Sequence, residues 1–186
     1  MILRERRLNR LKNYDYSKNG YYFVTICIKN REHFFGEIQN GKMILNKYGE
    51  IVGNQWLWLP WQYPYLELDK FIIMPNHMHG IVIIDNNNYH IRRGMSRCYC
   101  RGRSRPVPAE TTVSTTNTIK IKSLSQLIGA FKTTSSKIIH QNGLKIFNWQ
   151  RSFHDHIIRD EQSLNNIRKY IKNNPMKWGL EKNTKT

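Results

Sequence analysis

The apolar and polar positions along the chain divide it into strands and helices in a mixed order. Runs rich in β-branched and aromatic residues predict strands, and apolar residues three and four apart predict helices. The predicted strands are residues 21–29, 34–38, 42–45, 66–74, 77–84 and 153–159, and the predicted helices begin after Asn46, Ser123 and Asp160. This order indicates an α+β fold with a ferredoxin-like (split βαβ) antiparallel sheet and packed helices.

Turn and breaker residues predict where these elements end. Asn40-Gly41 is typical of a type I′ hairpin turn, and Pro75-Asn76 of a tight turn between two strands. Because proline interrupts helical hydrogen bonding, the first helix is expected to end at Pro60 and the last at Pro175. Asn174 is then expected at the final turn or cap of the last helix.

A segment at about residues 86–120 has a different composition from the rest. Six arginines lie between residues 92 and 105, and no acidic residue occurs between Asp85 and Glu110. Its low apolar content predicts a flexible basic insert, and a basic tail is expected from about residue 177. Residues 1–186 are therefore interpreted as one domain.

The charge of the chain narrows the choice of partner. Thirty Lys and Arg against thirteen Asp and Glu give a net charge of +17, which in so small a domain favours nucleic acid. No apolar stretch approaches the roughly 18 residues of a transmembrane helix, and the basic N-terminus lacks the apolar core of a secretory signal. A cytoplasmic protein without a membrane role is expected. Three cysteines without a CxxC pair argue against a disulfide framework or structural zinc.

Two histidines follow the Pro75-Asn76 turn. His77 and His79 are two residues apart on a predicted strand, so their side chains point to one face and can bind one metal ion. Imidazole suits Mn²⁺ better than Mg²⁺, although phosphate oxygens and waters would complete a site for either. From the pattern alone, ordinary surface or core histidines remain the alternative.

A tyrosine and an asparagine share a face of the last predicted helix. Tyr170 and Asn174 are four residues apart, which separates them by only about 40° around the helix axis. The ordinary alternative is a packing tyrosine and a capping asparagine. His156, on the strand before this helix, is a candidate helper near such a site, or a structural hydrogen-bonding residue.

Several short motifs occur in chain order between about residue 10 and residue 178. They are Tyr14-Asp15-Tyr16, Tyr22-Phe23-Val24-Thr25, Asn30-Arg31-Glu32, Phe35-Gly36, Met74-Pro75-Asn76-His77-Met78-His79-Gly80, Trp149-Gln150, Asp155-His156-Ile157-Ile158-Arg159, and Tyr170-Ile171 with Asn174-Pro175. Together they resemble the REP-associated tyrosine transposases, which are single-tyrosine enzymes of the HUH endonuclease type. Only the basic insert interrupts the resemblance.

The resemblance implies a role for four of these residues. His77 and His79 would bind a catalytic divalent metal, Mg²⁺ or Mn²⁺, with Asn174 as a third ligand, and Tyr170 would be the nucleophile. The implied partner is single-stranded DNA with hairpin (palindromic) elements, cleaved through a covalent 5′-phosphotyrosine intermediate. The resemblance leaves open whether the protein is a monomer or a dimer.

Two other functions compete with this interpretation. A ferredoxin-like sheet also serves as a non-catalytic module that binds hairpin DNA or RNA. A hydrolytic nuclease could use the histidine pair with an activated water, and would leave Tyr170 without a role. The presence of His77, His79, Tyr170 and Asn174 together favours the transposase-like enzyme, because binding alone does not require them.

Overall fold

Four antiparallel strands form the main sheet, and a separate hairpin lies beside it. The computed structural model describes residues 11, 13–86 and 121–183. In chain order the elements are β1 (Gly20–Cys27), β2 (Gly36–Gln39), β3 (Lys42–Leu45), α1 (Lys47–Gln62), β4 (Leu66–Met74), β5 (His77–Ile84), α2 (Leu124–Gln141), β6 (His154–Ile158) and α3 (Glu161–Asn183). The sheet order is β4-β5-β1-β6, with β2 and β3 as a two-stranded sheet. This split βαβ arrangement confirms the predicted fold class.

The two faces of the sheet pack against different helices. On β1 the side chains of Tyr22, Val24 and Ile26 are buried in the main core, which also contains apolar residues of α1 and α2. The opposite face packs against α3 through a smaller cluster, in which Ile81 of β5 contacts Leu164 and Ile171 of α3. Because side chains alternate along a strand, every second residue of β1 and β5 faces α3.

The predicted starts of all three helices are confirmed by their caps. The Asn46 side chain accepts hydrogen bonds from the backbone N–H groups of Tyr48 and Gly49, at 3.0 and 3.1 Å. The Asp160 carboxylate accepts one from the Ser163 N–H at 2.7 Å, and the Ser123 N–H donates to the Gln126 side chain at 3.0 Å. These bonds satisfy backbone donors that the first helical turn leaves without partners.

The predicted hairpin turn is also confirmed. Asn40 and Gly41, which connect β2 to β3, both have left-handed backbone angles, with φ of 50° and 70°. Two consecutive positive φ angles define the type I′ turn, whose twist matches that of the two strands.

The predicted ends of two helices are wrong. Pro60 lies inside α1 and Pro175 inside α3. A proline removes one hydrogen bond and crowds one carbonyl, but the helix continues where packing on both sides compensates. Around Pro175 this packing comes from buried Ile171 before it and from Trp178 after it, whose ring lies 5.4 Å from that of His77. Residues 177–183 are therefore helical rather than a tail, and Asn174 lies inside α3 rather than at its end.

Two further expectations concern the insert and the membrane. Residues 87–120 of the predicted insert lie outside the described residues. In the described part of the chain, no helix has both the length and the apolar character needed to cross a bilayer.

Candidate active site

His77 and His79 point toward α3 from the end of β5 that follows the Pro75-Asn76 turn. Both side chains are buried, with 6% and 5% of their surfaces exposed. Their Nε2 atoms lie 3.0 Å apart. Alternation along β5 therefore brings the two imidazoles together, as the sequence predicts.

Each histidine has an oxygen partner at its other ring nitrogen. Thr25 lies directly opposite His79 in the β1–β5 register, and its Oγ1 is 2.8 Å from His79 Nδ1. The Asn76 side-chain oxygen is 2.7 Å from His77 Nδ1. With the proton on Nδ1, each ring donates to its partner and presents an unprotonated Nε2, which is the usual arrangement of metal-binding histidines.

Electrostatics favours the neutral form of both rings. Burial lowers the pKa of His77 to about 4, and the positive charge of Arg31 adds to the effect. Burial also lowers the pKa of His79 to about 3, with smaller contributions from His77 and Arg31. Both imidazoles are therefore uncharged at pH 7, which is the form that binds a metal ion.

One stripe of α3 faces the histidine pair. Tyr170, Asn174 and Trp178 are four residues apart and so lie on one side of the helix. The Tyr170 hydroxyl is 3.3 Å from His79 Nε2, and the Trp178 ring is 5.4 Å from the His77 ring. Asn174 lies between these two contacts and is 7% exposed. The structure thus brings His77, His79 and Tyr170 together and places Asn174 on the same face.

The donor set is compatible with a six-coordinate divalent ion. Two ligands at right angles, each about 2.0–2.1 Å from a metal ion, are about 2.9 Å apart, and the two Nε2 atoms are separated by 3.0 Å. No cluster of three His, Cys, Asp or Glu side chains occurs among the described residues. Among those residues a third side-chain ligand would be of another type, and Asn174 lies on the face of α3 that contacts the two histidine rings through Tyr170 and Trp178.

His156 lies in a cleft next to the same tyrosine. The cleft is lined in part by Phe23, Ile167 and Tyr170, and His156 is opposite Phe23 in the β1–β6 register. Its side chain is exposed. This places His156 near Tyr170 but outside the pair formed by His77 and His79.

The structure adds residues that the sequence did not single out by role. Thr25 and Asn76 orient the histidines, although both lie within motifs that the sequence contains. Arg168 of α3 forms an ion pair with Asp69 at 2.6 Å, next to the irregularity that interrupts the β4–β5 register between Leu68 and Phe71. This pair connects the helix that carries Tyr170 to the sheet that carries the histidines.

The chain is similar to known proteins over most of its length. It is 38% identical over 177 residues to a Haemophilus influenzae protein named "Uncharacterized protein". The matched segment covers 95% of this chain and 91% of that protein, so the two belong to one family. It is 27% identical over 173 residues to a protein of the same organism named "Putative REP-associated tyrosine transposase", covering 91% of this chain and 78% of that one.

A solved structure has the same fold. It is a REP-associated tyrosine transposase bound to a REP hairpin, and it superposes with a TM-score of 0.57 at 19% identity, covering 91% of this chain and 74% of that one. No family model matches the chain.

Proposed function

We propose that this chain, which is similar to a putative REP-associated tyrosine transposase over most of its length, is a single-stranded DNA endonuclease and strand transferase of that type. It would cleave next to palindromic hairpins through a covalent 5′-phosphotyrosine intermediate and require a divalent metal ion, Mg²⁺ or Mn²⁺. A solved structure with the same fold is that of a REP-associated tyrosine transposase bound to a REP hairpin, and this supports a hairpin as the substrate. The net charge of +17 supports a nucleic-acid partner in general.

The observation that carries the proposal is the position of the Tyr170 hydroxyl, 3.3 Å from His79 Nε2. A tyrosine that only packed against the sheet would not need its hydroxyl at a buried pair of neutral imidazoles. The Tyr170 side chain is nevertheless 41% exposed, so a DNA strand can reach it from solvent. A nucleophile needs this combination of a fixed position and open access.

Tyr170 supplies the nucleophile of the proposed reaction. Its oxygen attacks phosphorus, the new P–Oη bond replaces the P–O3′ bond, and the hydroxyl proton passes to solvent. The departing oxygen takes up a proton and becomes a free 3′-OH. When a second 3′-OH attacks the phosphotyrosine, the step runs in reverse and joins two strands without ATP.

The other residues of the site would bind the metal ion and orient the side chains that hold it. His77 and His79, with Asn174 as a third ligand, would hold the metal ion. Thr25 and Asn76 would accept hydrogen bonds from the two Nδ1–H groups, which leaves both Nε2 atoms available to the ion. When bound, the ion would act as a Lewis acid that offsets negative charge on the phosphate and on the attacking oxygen. Burial of the pair beneath α3 keeps protons and bulk water from competing for Nε2.

The test is a search for the covalent adduct. A single strand that contains a palindromic hairpin and its flank, taken from DNA next to the gene, is incubated with the protein and Mn²⁺. A label placed 3′ of the cut should migrate with denatured protein, and a label placed 5′ should appear on a shorter fragment with a 3′-OH. Cutting without an adduct would indicate the hydrolytic nuclease instead, and hairpin binding without cutting would indicate the non-catalytic module.

A further inference from the structure

The turn after β1 has an unusual backbone that the proposed reaction leaves unexplained. Asn30 and Arg31 both have left-handed angles, with φ of 58° and 59°. Asparagine tolerates this conformation, but arginine adopts it only under strain. Strained residues of this kind persist where their surroundings fix them, and they cluster at functional sites.

The strained turn is bonded to the histidine site through Asn76. The Arg31 N–H donates to the Ile28 carbonyl at 3.1 Å, and the Arg31 carbonyl accepts from Asn76 Nδ2 at 3.1 Å. The same Asn76 side chain accepts from His77 Nδ1 at 2.7 Å through its oxygen. One amide therefore fixes both the backbone of Arg31 and the ring of His77.

The Arg31 backbone is linked to the histidine pair through one side chain, because the Asn76 amide bonds both to the Arg31 carbonyl and to the His77 ring. The Arg31 side chain is exposed, so its guanidinium is open to a ligand that approaches the site from solvent. Among the described residues, no carboxylate forms an ion pair with it. A guanidinium beside this site would repel a metal ion held by the histidines unless an anion lies between the two positive charges.

We propose that Arg31 binds a phosphate of the DNA strand at the His77–His79 site and couples metal binding to DNA binding, with Asn76 as its positioning residue. The proposal rests on the proposed function, because it takes the same site and substrate. A guanidinium forms two parallel hydrogen bonds with one phosphate. Once the phosphate is bound, its negative charge lies between the Arg31 guanidinium and the metal ion. DNA binding therefore tightens the binding of the metal ion, and the metal ion tightens the binding of DNA.

The coupling can be measured without cleavage. In the 186-residue chain carrying Tyr170→Phe, Mn²⁺ affinity is measured by calorimetry, first without DNA and then with an oligothymidylate of about 12 nucleotides. The oligonucleotide should tighten Mn²⁺ binding by roughly threefold to tenfold. Arg31→Asn, which keeps a residue that tolerates the left-handed backbone, should bind Mn²⁺ alone more tightly and lose most of this enhancement.

A matched variant controls for the loss of one positive charge. Lys47 is a surface residue of α1 whose ammonium group lies over the Tyr48 ring, at 4.8 Å. Lys47→Gln should leave the coupling unchanged. Asn76→Asp removes the donor to the Arg31 carbonyl, so it should lose the enhancement by the oligonucleotide, whatever its affinity for Mn²⁺ alone.

Two outcomes would overturn the proposal. One is a Tyr170→Phe protein whose Mn²⁺ affinity the oligonucleotide does not change. The other is an Arg31→Asn variant in which the oligonucleotide still tightens Mn²⁺ binding to the full extent. If only the melting temperature of this variant changed, the role of Arg31 would be purely structural. Neither measurement involves cutting, so a wild-type protein that forms no adduct would refute the proposed function and leave this test interpretable.

Discussion

Replacement of Tyr170 by phenylalanine removes one oxygen atom and leaves the ring. The ring contacts, at centroid distances of 6.1 Å to Phe23 and 5.2 Å to His79, should persist. The lost hydrogen bond to His79 is long, at 3.3 Å, and the side chain is 41% exposed. The free energy of unfolding should therefore fall by less than about 1 kcal/mol, which is a shift of only a few degrees in melting temperature.

The effect of Tyr170→Phe on the reaction should be far larger. Without the hydroxyl no P–O bond to the protein can form, so adduct formation should fall by at least about 10³-fold, whereas hairpin affinity should change little. The assay is the denaturing gel with label 3′ of the cut. Tyr21→Phe is the matched control, because Tyr21 is 39% exposed and lies two residues before Phe23 on the same face of β1.

Two results would refute this reasoning about Tyr170. An adduct that still forms in Tyr170→Phe would mean that another of the ten tyrosines is the nucleophile. A loss of more than about 2 kcal/mol in the free energy of unfolding would mean that the hydroxyl has a structural role that its long, half-exposed hydrogen bond does not indicate.

Three further perturbations test the metal site, the core and the insert. The double variant His77→Ala/His79→Ala should stop Mn²⁺-dependent cleavage but keep hairpin binding, and undiminished cutting would remove the metal role of the pair. Gly80→Ala should lower the free energy of unfolding by about 1–3 kcal/mol, because its Cβ would lie 2.6 Å from the buried Trp56 ring; a denaturation curve like that of wild type would contradict this packing. Deletion of residues 87–118 should leave a folded protein that binds DNA with a weaker dependence on salt. The slope of log affinity against log salt concentration should become less steep by up to about four, because each of the six deleted arginines contributes about 0.7. An unfolded deletion variant would show that the segment belongs to the core.

The parts of this protein that follow from sequence are those set by local geometry. The two-residue spacing of His77 and His79 places them on one face of any strand, and the four-residue spacing of Tyr170 and Asn174 does the same on any helix. The left-handed preference of Asn40-Gly41 specifies its turn in the same way. Each of these features depends on residues only a few positions apart, so periodicity and backbone preference predict it.

Tertiary packing alone decided which faces meet. The Tyr170 hydroxyl and the His79 ring are 91 positions apart in the chain, and nothing local to either residue requires their contact. It exists because the apolar stripe of α3 packs on the sheet face that carries the histidines. The same packing explains why α3 continues past Pro175, although the local sequence predicts that the helix ends there. The burial of side chains on both sides of the proline offsets the one helical hydrogen bond that proline cannot make.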